Sequence, residues 1–131
     1  SAVAQAALEA GARAVSLVNS IPAMAVDLES RRPALKNIVG GLSGPAIKPV
    51  ALGLVRRVAE TVDAPVVGVG GIMTATDALE FMLVGASAVQ VGMANFINPR
   101  ATLEILEGIE AYFKENSLPD LSALVGRLET A

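Results

Sequence analysis

Two apolar, β-rich runs in this chain stop in bare glycine: Val66-Val67-Gly68-Val69-Gly70-Gly71-Ile72 and Ala88-Val89-Gln90-Val91-Gly92-Met93. Glycine at a strand end lets an oxyanion approach the backbone, where exposed N–H groups can donate to it. Each run also precedes a helix start, whose dipole favours negative charge. Side by side, two such ends make a cradle of neutral residues for phosphate. Other chemistry is narrowed by omission. The sequence holds no cysteine and no histidine, which removes a thiol nucleophile, thiolate metal sites, internal disulfides and the commonest general base. Asp27 and Glu29 do not make a spaced catalytic carboxylate pair, so no residue here is assigned as a catalytic base or a metal ligand.

The composition sets the frame for that cradle. Of 131 residues, 53% are hydrophobic and only one Tyr and three Phe are aromatic, which describes a single α/β domain packed with Ala, Val and Leu. No run of ~20 apolar residues and no charged-then-apolar leader is present, so neither a membrane span nor a secretion signal is expected and the expected location is the cytoplasm. The net charge is -3. Basic residues cluster only at Arg31-Arg32 and Arg56-Arg57, which argues against a nucleic-acid surface. An anionic ligand would be held mainly by backbone amides.

Helix and strand alternate along the chain. Residues 2 to 10 read as an Ala-rich helix closed by Gly11, and Ala14 to Val18 as a buried strand. From Asn19 to Asn37 the chain reads as an irregular excursion with a short hairpin, punctuated by Pro22 and Pro33. Leu52, Val55, Val58, Ala59 and Val62 give a helix its stripe up to Asp63-Ala64-Pro65. Thr74-x-x-Asp77 is a capping box that opens a helix closed by Gly85. Asn98-Pro99 supplies a cap and a first-turn proline for a long helix to Asn116, with Ile105, Leu106, Ile109 and Phe113 inward. Asp120 caps a last short helix whose inward residues are Leu121, Leu124, Val125 and Leu128.

Gly11-Ala12-Arg13-Ala14-Val15-Ser16-Leu17-Val18 echoes Gly85-Ala86-Ser87-Ala88-Val89-Gln90-Val91-Gly92 in its glycine, alanine and apolar positions. Their separation fits βα units of roughly 35 to 40 residues. All the strand runs are continuously apolar, a pattern of burial on both faces, hence a parallel sheet covered by helices. Closing a barrel takes eight strands and about 250 residues. The expected fold is therefore α/β, the C-terminal portion of a (β/α)8 barrel, with residues 1–131 forming a single incomplete domain.

Asn19-Ser20, Gly40-Gly41-Leu42-Ser43-Gly44-Pro45-Ala46-Ile47-Lys48-Pro49, Gly68-Val69-Gly70-Gly71-Ile72 and Val89-Gln90-Val91-Gly92 occur together. In that combination the sequence resembles the C-terminal part of class 1 dihydroorotate dehydrogenases, and Ser87 to Phe96 with Asn98-Pro99 points to class 1B. The resemblance implies an FMN-containing (β/α)8 barrel that oxidises dihydroorotate to orotate in pyrimidine synthesis. It also implies a homodimeric core joined to an iron–sulfur/FAD subunit that passes electrons to NAD. It assigns Gly70, Gly71, Gly92 and Met93 to the FMN phosphate, Val18 and Gly44 to the flavin and ribityl chain, and Asn19 and Ser20 to the pyrimidine ring of the substrate. Members of the family usually have a small or hydroxyl residue where Met93 stands, so a side-chain hydrogen bond to phosphate is lost while the N–H remains. The family's catalytic cysteine lies in the N-terminal half of the barrel, so this chain alone is expected not to turn over dihydroorotate.

Other readings of the same residues stay open on sequence. Gly70-Gly71 and Asn19-Ser20 also fit ordinary turns, Lys48 a solvated first-turn residue, both arginine pairs solvated faces, and Met73 and Met82 simple packing. The chain also fits a phosphate-binding barrel without flavin, or a half-barrel module that self-associates through its open strand edges.

Overall fold

In the computed structural model, which describes residues 1–130, the Ala-rich start forms helix α1 (Ala2–Glu9) and leads into strand β1 (Val15–Leu17). The excursion then folds as short strands β2 (Ile21–Ala23), β3 (Val26–Asp27), β4 (Arg32–Pro33) and β5 (Gly40–Leu42). A 3-10 turn (Pro45–Ile47) runs into α2 (Lys48–Ala59), followed by β6 (Val66–Val69), α3 (Ala75–Leu83) and β7 (Ala88–Gln90). Helices α4 (Ala94–Ile97) and α5 (Ala101–Glu115) and a 3-10 turn (Leu121–Ala123) complete the order.

The three apolar strands form one parallel sheet in the order β1-β6-β7, with Val15 opposite Val66 and Gly68 opposite Val89. Helices cover one face: Val55, Val58, Val66, Ala78, Phe81 and Ile105 are buried together. The opposite face carries Ser16, Val67 and Ala88 in register, with Ser16 and Ala88 exposed. Burial on both faces, expected for every strand, is thus not observed. The apolar pattern is that of a sheet with two covers, and the described residues supply one.

The capping box is present. Thr74 Oγ1 accepts from Asp77 N at 3.3 Å, and Asp77 Oδ2 accepts from Thr74 N at 2.9 Å. Three other expectations change. The excursion from Asn19 contains the expected short hairpin, β3 with β4, but is more ordered than expected, because β2 also pairs antiparallel with β5. Strands of two or three residues are too short to show a period in sequence. Asn98 does not cap α5: it closes α4 as its C-cap, and Arg100 occupies the cap position of α5. The Asn98 side chain instead accepts from Arg100 N and donates to Glu104 Oε2. Leu106 is 52% exposed, and Leu121 and Leu128 are also exposed, whereas Ile105 and Leu124 are buried and the chain's end bonds to the Met82 and Leu83 carbonyls of α3.

Candidate functional site

At the C-terminal ends of the parallel strands lies a cavity of about 240 Å³. Every site residue expected from sequence lines it: Val18, Asn19 and Ser20 after β1, Gly44 before the first 3-10 turn, Gly70 and Gly71 after β6, and Gly92 and Met93 after β7. Residues as far apart in sequence as Val18 and Met93 thus meet because parallel strands deliver all their C-terminal ends to one edge. Sequence reasoning missed Ser43, Ile72 and Gln90, which also line the cavity. Ser43 stood inside the Gly41–Gly44 motif and Gln90 was the one polar residue of an apolar strand, so both carried a signal.

The backbone of this cavity is under-used. The amides of Gly70, Gly71, Ile72, Gly92 and Met93 donate to no backbone carbonyl among the described residues. Gly71 and Ile72 are buried, and a buried amide without a partner is costly enough to be rare in folded proteins. No charged side chain lines the cavity, so an anion there would be met by neutral N–H groups.

The glycines differ in what requires them. Gly71 has φ 79°, and a Cβ on it would sit 2.8 Å from Lys48 N and 2.9 Å from the Gly44 carbonyl oxygen. Gly70, at φ 124°, faces Val18 and Ile47 almost as closely. Internal packing alone therefore demands both. Gly92 has no positive φ and no atom within 4 Å of a would-be Cβ, so the described residues give no reason for its being glycine.

The helix starts contribute less than the sequence pattern suggests. Asp77 Oδ2 already accepts from Met73 N and Thr74 N, both at 2.9 Å, so the α3 N-terminus holds its own carboxylate. Helix α4 spans only Ala94–Ile97 and brings little dipole. The donors of the cradle are loop amides ahead of both helices.

Lys48 is not simply solvated. Its Nζ donates to Asp77 Oδ1 at 2.6 Å and to Glu80 Oε2 at 2.8 Å, joining α2 to α3. The Asp77 and Glu80 carboxylates hold the Lys48 ammonium above its ordinary range. Burial pushes the Asp77 carboxyl up, but Lys48, Met73 N and the Thr74 groups outweigh it and hold that carboxyl below the usual range. Asn19 Oδ1 accepts from Ser20 N at 2.8 Å, which orients its side chain while leaving the amide NH2 free to donate.

A sequence model of the family described as dihydroorotate dehydrogenase matches residues 1–113. The chain is 59% identical over 128 residues to the catalytic subunit of dihydroorotate dehydrogenase B (NAD(+)) of Geotalea uraniireducens, covering 98% of this chain and 42% of that protein. The subunit of the same name from Alkaliphilus metalliredigens is 54% identical over 126 residues, covering 96% and 42%. The chain therefore spans less than half the length of these curated relatives. In structure it is similar to DHODH from Eimeria tenella, solved in complex with ferulenol, with a TM-score of 0.77, 24% identity, and coverage of 95% of this chain and 33% of that one. That likeness establishes the fold, a parallel βα arrangement of the TIM-barrel kind. Shared sequence across residues 1–113 and the glycine-ended strands gathered on one cavity lead to one assignment: the chain belongs to the dihydroorotate dehydrogenase family.

Proposed function

We propose that this chain supplies the FMN-phosphate cradle and part of the substrate pocket of a B-type dihydroorotate dehydrogenase, which oxidises (S)-dihydroorotate to orotate in pyrimidine synthesis. The observation that carries the reading is the set of unpartnered amides at Gly70, Gly71, Ile72, Gly92 and Met93 around one uncharged cavity. Phosphate oxygens are strong acceptors and would satisfy several of those donors at once. Gly92, open on its Cβ side, leaves room for such an oxygen to reach the backbone.

Each wall has a part in this reading. Gly70, Gly71, Gly92 and Met93 hold the phosphate through backbone N–H groups. Val18 and Gly44 flank the ribityl chain and the flavin edge. Asn19 and Ser20 orient the pyrimidine ring by hydrogen bonds, since an amide offers both donor and acceptor to a ring imide. When bound, FMN supplies the hydride acceptor, and the protein's share is orientation plus a base. The base belongs to residues outside this sequence, in the remaining N-terminal part of the barrel, which would also supply the second cover of the sheet. The working enzyme is a cytoplasmic homodimer of catalytic subunits paired with an iron–sulfur/FAD subunit that delivers electrons to NAD.

Flavin absorbance and fluorescence would be followed on adding FMN to the purified chain, alone and mixed with the separately produced N-terminal part. Binding of FMN with weaker binding of riboflavin, in either mixture, is the expected result. Equal binding of the two flavins would remove the phosphate from the reading, and no flavin binding in either mixture would leave a different ligand as the better account. Dihydroorotate turnover by the chain alone with an artificial acceptor would overturn the placement of the base.

A further inference from the structure

Behind the cradle, and outside the cavity lining, stands a connected set of charged and backbone groups. Lys48 opens α2, and its backbone N and Cβ would each lie 2.8 Å from a Cβ on Gly71, so the first residue of α2 is seated on the glycine pair. Its ammonium then reaches across to Asp77 and Glu80 on α3. Asp77 in turn holds Met73 N and Thr74 N with its other oxygen and accepts from Thr74 Oγ1. The segment from Gly70 to Thr74 is thereby closed into a ring: it touches Lys48 at one end, is bonded to Asp77 at the other, and the two side chains are joined to each other. The side chains of Lys48 and Asp77 are only 25% and 13% exposed, so solvent competes little for this bond.

We propose that Lys48 and Asp77 are positioning residues for the phosphate cradle: their ion pair fixes the Gly70–Thr74 segment so that its unpartnered amides remain aimed at one place. This rests on the reading of the cavity as a phosphate site, and it assigns a role to two residues that touch neither flavin nor substrate. Preorganised donors bind more tightly than donors that must be ordered on binding.

A plain charge effect is the competing account, and the two differ in sign at Asp77. Removing its negative charge would strengthen anion binding if only long-range electrostatics operated. If the pair positions the loop, the same change weakens binding. Asp77→Asn retains an oxygen to accept from Met73 N and Thr74 N, and so isolates the bond to Lys48. Lys48→Met retains the apolar stem on Gly71.

The test uses the flavin-loaded holoenzyme, stripped and retitrated with FMN and with riboflavin. Both variants are expected to lose about tenfold in FMN affinity while riboflavin affinity changes by less than about twofold. Tighter FMN binding by Asp77→Asn, or a parallel loss for both flavins, would overturn the proposal. Hydrogen exchange at Met73 and Thr74 gives a second measurement independent of flavin: each variant should speed exchange there, and unchanged exchange counts against positioning. Failure of the phosphate reading is separately visible as wild-type protein that binds the two flavins equally.

Discussion

The two glycine-ended strands look alike in sequence and are built differently. After β6, the chain is buried, its glycines are required by positive φ and by the closeness of Lys48 and Gly44, and its loop is held by a charged pair. After β7, Gly92 and Met93 are exposed, nothing crowds Gly92, and the loop is held by a neutral amide. That amide is Asn95, which donates to the Val91 carbonyl at 3.1 Å and accepts from Thr102 Oγ1 at 2.9 Å, tying the loop to α5. One sequence pattern thus arises from two causes. The fold demands the first pair of glycines, whereas Gly92 is left to be explained by what binds.

The contrast is sharpest in paired alanine substitutions. Gly71→Ala forces a left-handed residue and a backbone clash, and should cost on the order of 2–4 kcal/mol of folding stability, read by urea denaturation. Gly92→Ala should leave stability within about 0.5 kcal/mol. Its effect belongs in ligand binding, where a methyl group between phosphate and backbone should lower FMN affinity roughly tenfold, about 1.4 kcal/mol. Equal stability losses at the two positions would erase the distinction between the walls.

Acidity separates the walls next. Asp77 titrates below its ordinary value in the folded chain, so its contribution is present above about pH 4 and is lost as pH falls through the folded value. Lys48 is displaced upward, so its contribution is complete below about pH 10 and is lost only as pH rises through the folded value. The stability gap between wild type and Asp77→Asn should therefore be open at neutral pH and close in acid. An Asn95→Ala variant, which loses no titratable group, should keep a constant gap over the same range; a gap that closes in step with that of Asp77→Asn would show the β7 wall to be charge-dependent too.

The smallest effect is expected at Met93, 42% exposed on the cavity rim. Met93→Thr would add a hydroxyl donor beside the retained amide and should tighten FMN binding about three- to fivefold. Unchanged affinity would place the phosphate farther from the β7 loop than the β6 loop.

How far the sequence carried this arrangement depended on the kind of signal. Thr74 and Asp77 were legible because a capping box is local, its partners three residues apart. The strands at Val15, Val66 and Ala88 were legible because each is a short apolar run bounded by turn residues. Lys48 was not, since a lysine in a first turn looks the same whether solvated or paired, and its partners lie on another helix. The difference between Gly71 and Gly92 was equally hidden, because it depends on what packs against each backbone. At Leu106 the failure was geometric: a neighbour of the buried Ile105 lies about 100° around the helix, beyond the seam that α5 buries.

The uncharged lining of the cavity has a kinetic consequence. On the proposed phosphate reading, a chain of net charge -3 meeting its anion with neutral amides would offer it no long-range attraction, so encounter would gain nothing from steering and lowering the salt should not speed it. Occupancy then rests on slow escape. The cofactor would behave as a resident acquired once, rather than as a ligand exchanged at each turnover.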